Sequence, residues 1–289
     1  MAHRPQATDF ALLATLALLW GASFLFTDLA LSGFTPLQVA AGRITSGTLA
    51  LLLYARLVRS DARPTLREAG LLCLAGITGA VLPFALIAWA QQSVTSSVAA
   101  ILIATAPFWT MLLAQVMTDD EPITTPRLIG AMVGFGGVFL LMGGSRAEAP
   151  PLTSALAVIA GALCYGLTGL ILRRVQRLPA PVSAAGLQSF AMVLILPVAA
   201  MDTLRHGLVG EASAWAALIV LGVTASGLAT IVMIRLLART DATFLSFNNL
   251  LVPLVGTVLG AVFLNEALSV RQIGGLALVL AGLGFFRRG

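Results

Sequence analysis

The chain has no lysine: all 17 of its Lys and Arg residues are arginine. No ammonium side chain is therefore available to hold a phosphate or to form a Schiff base. A GC-rich genome explains such a bias. Charge of either sign is scarce, at 10% of 289 residues, against about 25% in a soluble domain. The chain cannot cover itself in water. Histidine is limited to His3 and His206, both outside the apolar runs, which leaves no imidazole for chemistry within them. Cys73 and Cys164 each stand alone in an apolar stretch, without CxxC or His-rich spacing. They read as small core residues, not as a disulfide or a metal site. No metal, cofactor or catalytic residue is expected.

What is present is hydrophobic: 58% of residues, with a mean hydropathy of +0.97. Lipid is then the solvent, and lipid permits only helices or closed barrels. The apolar runs are continuous rather than alternating, which excludes a barrel. The net charge of +5 does not point to nucleic acid, because the arginines lie between apolar runs and not on one basic face. Arg4 followed by Phe10–Leu19 imitates a signal peptide, but the run continues through Phe24–Leu31 and reads as a first span.

At about 20 residues per span, ten segments qualify: 10–31, 36–58, 69–91, 95–117, 126–143, 154–172, 181–201, 212–237, 243–264 and 271–286. Pro36, Pro126 and Pro181 stand at or near helix starts, where a missing N–H does no harm. Arginine placement sets the orientation. Twelve arginines (4, 56, 59, 63, 67, 127, 173, 174, 177, 239, 287 and 288) fall on one side, and three (146, 205 and 271) on the other. Both termini are expected in the cytoplasm, and the membrane is expected to be the bacterial cytoplasmic (inner) one.

The chain also repeats itself. Trp20-Gly21 recurs in kind as Tyr165-Gly166, Pro36 as Pro181, Pro107 as Pro253, Arg127 as Arg271 and Gly130 as Gly274, at offsets of 144–146 residues. Five spans per half is an odd number, so the second half enters the membrane upside down. The expectation is an all-α integral membrane protein with two inverted five-helix repeats, residues 1–146 and 147–289, around a central cavity. Such repeats supply two interchangeable conformations, with the substrate near the midplane. That favours a transporter over a channel or scaffold. An intramembrane enzyme needs a nucleophile with a base, paired carboxylates or a metal set, and Asp28 is the one clear acid within a span.

Trp20-Gly21-Ala22-Ser23-Phe24, with Pro36 and Arg43, resembles the opening of the drug/metabolite transporter superfamily, and specifically its ten-helix EamA-type exporters. Pro107, Glu121, Arg127 and Gly130, then Pro253, Asn265-Glu266, Arg271, Gly274 and Gly275, resemble the ends of the two halves. The resemblance covers essentially the whole chain. It implies a small-metabolite exporter whose spans 1, 3, 4, 6, 8 and 9 surround the cavity, with bacterial amino acid exporters as the leading subgroup and multidrug-type export as the alternative. The partners are then a small-molecule substrate and the lipid bilayer, for a monomer or homodimer. Two departures narrow it. Sugar-phosphate carriers of the superfamily use lysines, absent here. The four-helix multidrug members couple protons through a first-span glutamate, also absent.

Trp89 and Trp215 lie near outer span ends and read as an interfacial belt. Trp20, Trp109 and Tyr165 lie near span middles and are expected to form an aromatic platform in the cavity. Asn248 and Asn249 are adjacent, and neighbours on a helix point about 100° apart, so one of them is expected to line the cavity. Ser23, Thr78, Thr168 and Ser226 could add hydroxyls, unless they bond only to their own helix. Pro107 and Pro253, at matching depth, are expected to act as hinges. The pairs Gly130/Gly134 and Gly256/Gly260 allow close helix packing. Arg43 lies well inside a span, where an unpaired charge is costly. A structural ion pair with Asp28 is preferred for it over contact with substrate.

Overall fold

The computed structural model describes residues 6–58, 62–117, 125–142, 150–175, 177–239 and 248–286. Among them every regular element is helical: α1 (Ala7–Leu31), α2 (Pro36–Leu57), α3 (Leu66–Gly76), a π-helical segment (Ile77–Val81), α4 (Leu82–Ala90), α5 (Ser96–Ile103), α6 (Ala106–Met117), α7 (Thr125–Met142), α8 (Leu152–Arg173), α9 (Ala180–His206), α10 (Ala212–Val220), a second π-helical segment (Leu221–Leu228), α11 (Ala229–Arg239), α12 (Asn248–Phe263) and α13 (Val270–Phe286). Joining α3 to α4, α5 to α6 and α10 to α11 gives the ten expected segments. Six of them are long and apolar enough by themselves to cross a bilayer: Ala7–Leu31, Leu66–Ala90, Ser96–Met117, Leu152–Arg173, Ala180–His206 and Ala212–Met233. Shorter apolar helices lie within α7, α12 and α13. The expected boundary between the halves at 146 and the first residues of span nine, 243–247, lie outside the described residues.

Helix starts follow their local sequence. Thr35 accepts a bond from Gln38 N at 3.2 Å while the Gln38 side chain accepts from Thr35 N at 3.0 Å, and Pro36 supplies the first helical residue. Thr65 and Glu68 form the same reciprocal box at α3.

The packing repeats as the sequence does. α1 rests on α12, and its counterpart α8 rests on α5 and α6. α1 also lies along α10 and α11, as α8 lies along α3 and α4. α2 meets the second π segment, and α9 the first. The remaining pairs, α2 with α9 and α7 with α13, join each helix to its own counterpart. Glycine permits the last of these: a Cβ on Gly282 would sit 2.5 Å from the Gly130 carbonyl oxygen, and one on Gly137 2.7 Å from that of Gly275.

Both π segments fall at one repeated landmark, Gly76-Ile77-Thr78 and Gly222-Val223-Thr224. Each threonine bonds the carbonyl four residues back, Leu74 at 3.0 Å and Val220 at 2.6 Å. Such widened turns cluster at functional sites because they loosen the carbonyl ladder. The fourth span breaks outright. Ala104 and Thr105 form a turn between α5 and α6, just before Pro107, whose ring cannot donate a helical bond. Its counterpart Pro253 lies inside the continuous α12. The two prolines therefore do not bend their helices alike.

Candidate functional site

Where the second π segment approaches α2, two glycines make room. A Cβ on Gly222 would lie 2.5 Å from the Arg43 carbonyl oxygen, and one on Gly47 2.8 Å from the Ser226 Cβ. The closeness brings Arg43 Nε to Ser226 Oγ, to which it donates at 2.9 Å. The guanidinium carbon stands 3.7 Å from the centroid of the Phe84 ring, three residues beyond the first π segment's end in α4. Tyr165 packs on the cluster that contains Phe84. Trp20 Nε1 donates to the Ala225 carbonyl at 3.2 Å, the residue before Ser226. Thr78 and Thr168 join the first π segment to α8 through their hydroxyls, 2.7 Å apart. One site thus gathers around the two loosened turns, with side chains from α1, α2, α4, α8 and the second π segment.

The expected Asp28–Arg43 pair does not form. Arg43 turns to Ser226 and Phe84, while Asp28 lines a cavity of about 430 Å³ at the end of α1 together with Gln91, Ser93 and Glu266. Ser23 donates to its own helix, at the Trp20 carbonyl (2.6 Å). Thr168 also bonds back to Cys164 O at 2.9 Å. Trp109 donates to Thr105 Oγ1 at 3.2 Å and meets Phe135 of α7 edge-on at 5.3 Å. Asn248 is buried, and neither side-chain atom has a partner. The Asn249 side chain lies outside the described residues. Pro107 and Pro253 are both buried. Trp89 and Trp215 are exposed, as a belt requires. Cys73 and Cys164 are free and half-buried.

The segments 32–35, 91–95, 207–211 and 264–269 share one face. Gln92 lines the 430 Å³ cavity with Leu264, and a second cavity of about 820 Å³ with Thr35, Gln38, Asp202 and Gly207. Glu266 caps α5 there, accepting from Ser96 N at 2.7 Å and Ser97 N at 3.1 Å, where a helix start favours negative charge. Asn265, at φ 53°, makes the turn that presents it. Arg43 lies five residues beyond Gln38 along α2, about 7.5 Å further in.

Sequence reasoning missed two buried acids that tie down the opposite, arginine-rich face. Arg239 Nε donates to Asp9 Oδ1 at 2.7 Å, joining α11 to α1. Arg177, between α8 and α9, grips Glu68 of α3 with two bonds of 2.8 and 2.5 Å. The bonded Glu68 carboxylate holds the Arg177 guanidinium above its usual pKa. Thr65 three residues before Glu68 is the signal that was available. On the repeat, Asp9 corresponds to Ser154 and Arg239 to Ser93. Those two serines meet at 2.6 Å on the other face.

The chain matches the EamA-like transporter family twice, over residues 9–143 and 152–288. It belongs to that family. Over 276 residues it is 27% identical to a probable terminal-alkyne amino-acid exporter of Streptantibioticus cattleyicolor, covering 93% of this chain and 90% of that one. It is 24% identical over 204 residues to the uncharacterized inner membrane transporter YedA of Escherichia coli K12, covering 70% and 64%. A crystal structure sharing 20% identity superposes with a TM-score of 0.70 over 97% of this chain and 98% of the other, which supports the fold. This EamA-family protein is a membrane-spanning transporter and not an enzyme. Its Trp20 and Tyr165 landmarks lie beside Ser226 and Phe84, the neighbours of Arg43.

Proposed function

We propose that the protein exports amino acids or similar small metabolites from the bacterial cytoplasm by alternating access, with halves 1–146 and 147–289 exchanging conformations and both termini inside. The observation that carries this is unequal geometry at equivalent places. The fourth span is broken at Ala104–Thr105 while α12 runs through Pro253, and the two π segments cover five and eight residues. Two copies of one design held in two shapes are what exchange between inward- and outward-open states requires. Pro107 and Pro253 are then the hinges of the two halves. The relative named as an amino-acid exporter supports the substrate class.

The test is counterflow. Purified protein in liposomes preloaded with an unlabelled amino acid is expected to accumulate the labelled one transiently, across a panel, with and without a pH gradient. No counterflow for any amino acid removes the substrate class. A steady state that shifts with the gradient establishes coupling to it. Export of other small organic compounds is the second reading, favoured by the aromatic character of Trp20, Phe84 and Tyr165 around the site.

A further inference from the structure

Three charged residues are buried among those described: Asp9, Arg43 and Glu68. Asp9 has Arg239 and Glu68 has Arg177. Arg43, 7% exposed, has no opposite charge bonded to it among the described residues. Its Nε is occupied by Ser226, and its plane lies against the Phe84 ring. Neither Nη1 nor Nη2 makes a hydrogen bond to a described residue. A guanidinium does not escape the cost of burial by losing its proton. A ring face offsets only part of that cost, and a buried ion wants a counter-ion.

Among the described residues one edge of the group is left free, and it is the forked edge. Fixing Nε on Ser226 sets the plane of the group and leaves Nη1 and Nη2 for two parallel bonds, the arrangement that fits a carboxylate. Around it stand Phe84, Tyr165 and Trp20, apolar surfaces for a side chain. The counterpart of Arg43 in the second half is Gln188, buried and neutral, with its Oε1 unpartnered. The positive charge therefore occurs once at this position in the two halves, which gives the site an anionic end.

We propose that Nη1 and Nη2 of Arg43 hold the carboxylate of the transported compound, making the substrate a monocarboxylate with an apolar or aromatic side chain, amino acids included, and not a cationic amine. The assignment rests on the carrier reading and specifies its binding site. It also replaces the structural pairing with Asp28 as the role of Arg43.

Heat unfolding of the purified protein in detergent reads binding without transport. The probes are L-phenylalanine and 3-phenylpropanoate, set against phenethylamine and L-phenylalanine methyl ester. Both carboxylates are expected to raise the unfolding midpoint saturably, and the amine and the ester are not. Arg43→Gln should weaken carboxylate binding by about tenfold or more, as losing a charged hydrogen bond does. Arg43→Lys, which keeps the charge but not the fork, should fall between. If Arg43→Gln does not fold, Arg43→Lys and the wild-type comparison decide. Equal stabilisation by phenethylamine, no stabilisation by either carboxylate, or unchanged affinity in Arg43→Gln overturns the assignment. Carboxylate binding that depends on Arg43 without counterflow would sink the carrier reading and leave the site standing. Counterflow with unchanged half-saturation in Arg43→Gln would do the reverse.

Discussion

Most hydroxyls in this interior bond the helix that carries them: Ser23 to Trp20, Thr27 to Ser23, Thr110 to Ala106 and Thr224 to Val220. Thr78 and Thr168 also reach across, from the first π segment to α8. In lipid such bonds average about 0.6 kcal/mol and reach about 1.7. A double-mutant cycle of Thr78→Val and Thr168→Val, followed by detergent unfolding, is expected to give a coupling in that range. Additive losses would show that the two hydroxyls do not bond. Threonine at these positions was legible as a candidate; its partner was not. The same limit explains Arg43. Asp28 was preferred as the one clear acid within a span, and sequence position does not give its distance from Arg43. Rotation about the helix axis decides contact, and it placed Arg43 on Ser226, 183 residues away in sequence.

Between elements, small residues decide how closely helices meet. On α13, Gly282 faces the backbone of Gly130 and Gly134, with a Cβ position 2.5 and 2.6 Å from their O and N atoms. Backbone cannot yield as a flexible side chain can. Gly282→Val should therefore push α7 from α13, lowering the unfolding midpoint and the yield of monodisperse protein. Gly136 and Gly284 have nothing within 4 Å. Alanine at either should be neutral, or stabilising by up to about 1 kcal/mol through helix propensity. Equal damage in both sets would contradict the packing. The Gly130 and Gly134 pair was readable from spacing, and a disturbed helix at Pro107 from its missing N–H, but not that it would break outright. The π segments were not readable. A widened turn moves one residue per repeat of the ladder, and the glycines and threonines that permit it also occur in ordinary membrane helices. Nor did Pro253 disclose that its helix runs on through it over Asn248–Phe263, because a proline removes a bond without dictating how neighbours respond.

For the molecule as a whole, ten spans and two related halves were legible because hydropathy and repeated landmarks are additive along the chain. The ion pairs that tie the arginine-rich face, Asp9 with Arg239 and Glu68 with Arg177, join segments more than a hundred residues apart and left little trace. Neutralising both acids, as Asp9→Asn with Glu68→Gln, should open that face. The reporter is Leu13→Cys, a position buried with Leu236 near the first pair, in a chain carrying Cys73→Ala and Cys164→Ala. An impermeant thiol reagent should reach it from inside-out vesicles, faster once the acids are neutralised. Labelling from outside intact cells would reverse the orientation, and an unchanged rate would dismiss the ion pairs as latches. The equivalent contact on the other face, Ser93 with Ser154, is a single uncharged bond. At these two equivalent places, then, the halves differ: one contact is charged and the other is not. Such a bias cannot set the net direction of flow, which belongs to the gradients. It does set the concentration at which each side is served, because affinity falls by the fraction of carriers open to that side. If the latched face is the cytoplasmic one, as the proposed orientation has it, such a carrier would take up cargo there only when the internal pool is high, as a relief valve for surplus does.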